Sequence, residues 1–157
     1  MVHSPATLGT LLRRLVDHLD GAVEQAYADA GLDYRPRFTP IVRTLAERGP
    51  ATIRTLSGRT GVTHSAASQT VAQMVERGLV SLQTGQDARE RIVTLTPAGE
   101  TLVPQLETFW RATEAAARTL DDDVGQPLAE VLTAALAALD RRSFTDRLSS
   151  VQTRVSP

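Results

Sequence analysis

The sequence predicts a mainly α-helical chain with one short, two-stranded β ribbon near its middle. Three observations lead there. Apolar residues recur every three or four positions over most of the 157 residues, the spacing of a helix face. Helix punctuation recurs with them, as Ser, Thr or Pro opens the runs and Gly closes them. Two short segments, 80–84 and 91–95, depart from that spacing. They are rich in Val, Ile, Leu and Thr and flank the turn-forming Gly85-Gln86-Asp87-Ala88-Arg89-Glu90.

Ser4-Pro5 reads as a cap and first turn. Behind it Leu8, Leu11, Leu12, Leu15, Val16, Leu19, Val23 and Tyr27 mark a long helix, softened at Gly21 and ended by Gly31. This stripe is broad for a lone surface helix and needs a partner. Asp33 to Phe38 is a connector. Thr39-Pro40 starts a short helix through Ile41, Val42 and Leu45, stopped by Arg48-Gly49-Pro50.

Thr52 then caps a helix from Ile53 to Thr60. Gly61 turns the chain with positive φ, and Val62 follows as a core plug. Thr63 caps a second helix from His64 to Arg77, and Gly78 stops it. Ala67, Val71, Met74 and Val75 are its core-facing residues. Two helices joined by a Gly-containing turn form a helix-turn-helix. The ribbon after it makes a winged helix-turn-helix with a two-stranded wing.

Beyond the ribbon, Thr96-Pro97 opens a helix marked by Leu102, Leu106, Phe109, Trp110, Ala117 and Leu120. Pro104 lacks a backbone donor, which predicts a kink or restart. Asp121-Asp122-Asp123 suits the N-terminal end of the next helix, with Pro127 in its first turn. Val131, Leu132, Ala135, Leu136 and Leu139 form a strong apolar stripe. Residues 143–157 read as a polar tail of weak periodicity.

The outer face of the second helix carries His64, Ser65, Ser68, Gln69 and Gln73, with Thr63 at its start. It is small, polar and nearly uncharged, which suits a helix that meets base edges in a major groove; a solvated face of low charge is the other reading of the same residues. Arg89 at the ribbon tip suits a narrow minor groove, with Asp87 placed to hold its guanidinium. Thr52, Arg54 and Arg91 suit phosphates. Double-stranded DNA is the expected partner.

Arg77-Gly78-Leu79-Val80, then Asp87-Ala88-Arg89, then Val93-Thr94-Leu95-Thr96-Pro97-Ala98-Gly99 resembles the MarR family of winged helix-turn-helix transcriptional regulators. The resemblance extends from about Leu8 to Leu139. Family members often carry Arg where this chain has Gln69 and Leu82. The resemblance implies four regions: an N-terminal dimerisation helix in 1–34, the DNA-binding winged helix-turn-helix in 35–96, C-terminal dimerisation helices in 97–142, and the tail in 143–157. It implies a homodimer on an inverted repeat, acting as a repressor relieved by a small aromatic or lipophilic effector. His18, Tyr34, Phe38, Phe109 and Trp110 are the candidate effector-binding residues. The alternative is a winged helix that binds another protein without reading DNA.

Composition narrows the classes further. The chain has no Cys, which excludes disulfides and thiolate metal sites. His3, His18 and His64 share no ligand spacing, so no metal is expected. No nucleophile motif or phosphate-cradling loop occurs, so neither an enzyme nor a cofactor is expected. A signal segment and a membrane-spanning run are both missing, so a cytoplasmic location follows as an expectation. The net charge of −1 hides segregation: residues 35–91 carry nine Arg against four acids. That local excess of positive charge attracts a polyanion.

Overall fold

The computed structural model describes residues 6–155, with side chains over 6–152. The element order is α1 (Leu8–Asp29), α2 (Thr39–Arg48), β1 (Ala51–Thr52), α3 (Ile53–Thr60), α4 (His64–Glu76), β2 (Val80–Thr84), β3 (Arg91–Leu95), α5 (Pro97–Val124), α6 (Leu128–Arg141) and α7 (Phe144–Val155). A single 3-10 turn, Pro36–Phe38, precedes α2. The chain divides into two compact units, Met1–Thr108 and Phe109–Pro157.

Local chemistry explains where the helices of the first unit start and stop. Ser4 and Pro5 lie outside the described residues. Within them, α1 is capped by Thr7, whose hydroxyl accepts from the Thr10 N–H at 3.2 Å. The Thr52 hydroxyl accepts from the Thr55 N–H at 3.1 Å, and that of Thr63 from the Ala66 N–H at 3.1 Å. Each replaces a partner that a helix N-terminus lacks. Gly61 and Gly78 both take positive φ, +72° and +67°, which lets α3 and α4 end in tight turns.

The sheet has three strands in the order β1-β3-β2, all antiparallel. Ala51 pairs with Val93 and Thr52 with Ile92, so a two-residue strand ahead of α3 completes the wing's base. The expectation of two strands is thereby corrected. A two-residue strand has no periodicity to read. The core of this unit contains Tyr27, Tyr34, Phe38, Ile41, Leu45, Leu56, Ala67, Val71, Met74, Val80, Val93 and Leu106, all buried.

Thr96 to Gly99 joins the wing to α5. The Thr96 N–H donates to the Leu79 carbonyl at 3.0 Å, and its hydroxyl donates to the Gly78 carbonyl at 2.5 Å. The same oxygen accepts from the Gly99 N–H at 3.1 Å. A Cβ on Gly99 would run into the Leu79 carbonyl oxygen. Glycine is required there by the close approach of two backbones.

Several expectations are corrected. Val62 is 38% exposed and Val75 39% exposed, so neither is core. Periodicity places both near the apolar stripe, but no neighbouring element covers them. α5 runs unbroken through Pro104. The Asp triplet ends α5 instead of starting α6, although the Asp121 carboxylate still accepts from the Leu128 N–H at 3.0 Å. Pro127 sits at the N-cap of α6, before its first turn.

In the second unit, the expected polar tail forms α7. Ser143 caps it by accepting from the Asp146 N–H at 3.1 Å. The Arg147 guanidinium donates to the carbonyls of Ala138 at 2.9 Å and Arg142 at 3.2 Å, satisfying the end of α6. Both units leave apolar faces uncovered. α1 exposes Leu8, Leu11, Leu12, Val16 and Leu19. α6 exposes Val131, Leu132, Leu136 and Leu139, and α7 exposes Phe144, Leu148 and Val151.

Candidate nucleic-acid interface

A cleft of about 490 Å³ opens between the starts of α3 and α4 and the wing tip. Its lining combines Thr52, Ile53 and Arg54 with His64 and Ser68, and with Asp87, Arg89, Glu90 and Arg91 of the wing. Three segments distant in sequence thus converge on one surface. Register explains part of this, because Thr52 pairs with Ile92, next to Arg91. The caps at Thr52 and Thr63 fix the directions in which α3 and α4 begin.

The cations of this cleft are free to meet an outside anion. The guanidiniums of Arg54, Arg89 and Arg91 make no hydrogen bond or ion pair among the described residues, and all three residues are exposed. Arg77 contrasts with them. It donates from Nε to Asp33 at 3.1 Å, lies 5.3 Å from the Phe38 ring centroid, and serves the fold. Arg35 is likewise paired, with Glu24 at 3.0 Å.

The wing tip departs from expectation in one respect. The Asp87 carboxylate accepts from the Arg89 backbone N–H at 3.0 Å, not from its guanidinium. The Asp87 carbonyl also accepts from the Glu90 N–H, and the Gly85 N–H donates to the Glu90 carbonyl, both at 2.9 Å. Asp87 therefore shapes the turn that carries Arg89 and leaves the Arg89 cation unneutralised.

The expected contact residues of α4 divide over its circumference. His64 and Ser68 face the cleft. Ser65 and Gln69 are exposed. Gln69 and Gln73 line a second hollow on the other flank, with Arg37, Pro40, Ile41, Thr60, Val62, Ala66 and Thr70. The Gln73 side-chain oxygen is buried there and has no hydrogen-bond partner among the described residues. Sequence reading missed Ile53 and Glu90 as lining residues. Their adjacency to Arg54, Arg89 and Arg91 was the available signal.

The aromatic candidates are mostly structural. Tyr34 and Phe38 are buried and meet edge to face, ring centroids 5.5 Å apart. The Tyr34 hydroxyl donates to Thr39 at 3.3 Å, and burial pushes its pKa well above the usual tyrosine value. Trp110 is buried and Phe109 half-buried, while His18 is exposed. Among the described residues no group of three His, Asp or Glu side chains is arranged to hold a metal. No described helix is long and apolar enough to cross a membrane.

These features, a cation-lined cleft at the start of a turn-linked second helix and a β wing, define a winged-helix DNA-binding fold. The sequence model of the MarR family matches residues 39–90. A MarR family transcriptional regulator from Silicibacter pomeroyi is 27% identical, with TM-score 0.61, covering 84% of this chain and 94% of its own. The M. tuberculosis transcriptional regulator MOSR, solved in complex with DNA, aligns with TM-score 0.69 and 24% identity, covering 87% and 98%. A structure described for regulation of DNA binding of Bordetella bronchiseptica BpsR by 6-hydroxynicotinic acid aligns with TM-score 0.59 and 22% identity, covering 74% and 83%. No curated protein sequence matches the chain. Over residues 39–90 the chain is similar to the MarR family of winged-helix regulators, and these likenesses support the general role of a DNA-binding transcriptional regulator.

Proposed function

We propose that the chain is a homodimeric, sequence-specific repressor that binds an inverted repeat and releases it when a small aromatic or lipophilic effector binds. The observation that carries the DNA-reading half is the cleft with three unpaired guanidiniums beside the start of α4. α4 enters the major groove and presents His64, Ser65, Ser68 and Gln69 to base edges. Arg89 enters the adjoining minor groove. Arg54 and Arg91 meet phosphates, with Thr52 and Thr63 orienting the two helix starts. Asp87 acts by holding the tip in shape. Gln73, whose side-chain oxygen is buried, is left out of this interface.

The dimer is supported by the exposed apolar residues along α1, α6 and α7, since exposed apolar surface of this kind marks interaction sites. Two copies on a two-fold axis would bring two α4 helices to half-sites about 34 Å apart. The effector half is supported by BpsR, whose DNA binding is regulated by a small aromatic acid. Tyr34 and Phe38 serve the core, which weakens their candidacy as effector contacts. An interface built for protein partners would need large apolar anchors on the outer face of α4, and His64, Ser65, Ser68 and Gln69 supply none. A cytoplasmic location accords with this role.

Fluorescence anisotropy on a labelled duplex at rising salt tests the reading. Arg89→Ala should weaken binding and reduce its salt dependence, because a cation is withdrawn from the polyanion's surface. An unchanged slope and affinity would remove the wing from the interface.

A further inference from the structure

The cleft holds one acid whose charge has no partner. Of its two carboxylates, that of Asp87 is engaged by the Arg89 N–H at 3.0 Å. Glu90 hydrogen-bonds at the wing tip through its backbone, to Asp87 and Gly85, and its side chain lies over Gly85. Its carboxylate makes no hydrogen bond or ion pair among the described residues, although Arg54, Arg89 and Arg91 line the same cleft. The turn needs the backbone of residue 90 and not its charge. Glutamine would make the same backbone bonds with a side chain of the same length.

An unpaired carboxylate beside the path of a polyanion opposes every phosphate equally, whatever the base sequence. Base contacts from α4 are gained only on the right sequence. A uniform repulsion lowers the affinity for matched and unmatched sites by the same factor, so at a given protein concentration only sites that also gain the contacts of α4 stay bound. We propose that Glu90 sets the affinity threshold of the interface, holding down binding to every sequence so that stable occupancy requires the contacts of α4. This rests on the DNA reading given above.

The test compares the full-length protein with Glu90→Gln and with Glu100→Gln, an exposed position outside the cleft that carries the same change of charge. Each is titrated against a random-sequence duplex pool and against the duplex enriched from that pool, over a range of salt. Glu90→Gln should bind the random pool about three- to tenfold tighter. The enriched duplex should gain by a similar factor, because the repulsion is the same on both, while Glu100→Gln behaves as the parent. A Glu90→Gln protein with parental affinity on the random pool would overturn the inference. So would an equal gain from Glu100→Gln, which would mean only net charge matters. Loss of the enriched duplex alone would make Glu90 an acceptor that reads a base and would overturn it too. A parent that binds no duplex would overturn the DNA reading first and this inference with it.

Discussion

Replacing Gly99 with Ala should destabilise the protein, even though alanine is the better helix former. The new Cβ would collide with the Leu79 carbonyl oxygen, and would lie 3.2 Å from the Leu79 carbonyl carbon and 3.3 Å from Leu95 Cδ2. Two of these neighbours are backbone atoms and cannot rotate away. The displaced carbonyl is also the acceptor of the Thr96 N–H at 3.0 Å. Overpacking of this kind costs about 1–3 kcal/mol, and a weakened hydrogen bond adds about 1 kcal/mol. Helix propensity returns about 1 kcal/mol. The net loss is about 1–3 kcal/mol, or a fall in Tm of roughly 2–12 °C for a chain of this size. Gly21→Ala provides the contrast, because a Cβ in the middle of α1 meets nothing within 4 Å. It should stabilise by about 0.5–1 kcal/mol. Thermal unfolding followed by circular dichroism reads both variants. A Gly99→Ala protein as stable as Gly21→Ala would refute the close approach of α5 to the wing's base.

Three further outcomes follow from the same geometry. Thr63→Ala removes the hydroxyl that accepts from the Ala66 N–H; urea unfolding should show a loss of about 1 kcal/mol, with weaker DNA binding as the start of α4 frays. Tyr34 is held protonated by burial in the folded state, so the unfolded chain releases that proton first. Stability should fall as pH rises above about 10, the ordinary tyrosine value, and the fall should be shallower in Tyr34→Phe. Leu136 is 64% exposed on α6. If two copies pack through this face as proposed, Leu136→Glu should leave the helical circular dichroism intact and shift the sedimentation mass from dimer to monomer, because a charge buried between copies is costly; an unshifted mass would remove that face from the proposed interface.

Features set by neighbours in sequence were legible from the residues alone. The capping role of Thr52 and Thr63 and the turns at Gly61 and Gly78 depend on three or four consecutive residues. Strands β2 and β3 declared themselves by composition, at the bounds observed. Features set by distant neighbours were not legible. Val62 and Val75 have the chemistry of core residues, but no element covers them. Asp87 and Arg89 are two apart, a spacing that suits either a guanidinium contact or the backbone bond that forms. α7 was hidden because its Arg, Asp and Ser residues outnumber its apolar ones. The cleft could be anticipated as a set of cations, but its inclusion of Glu90 depends on how the tip closes.

Selection of bound duplexes from a random DNA pool, followed by sequencing, tests the central claim most directly. A dimeric DNA reader should give an enriched inverted repeat, with half-sites about one helical turn apart, and Arg89→Ala should lose that enrichment. Retention of DNA with no enriched sequence, or enrichment unaffected by Arg89→Ala, would contradict that claim.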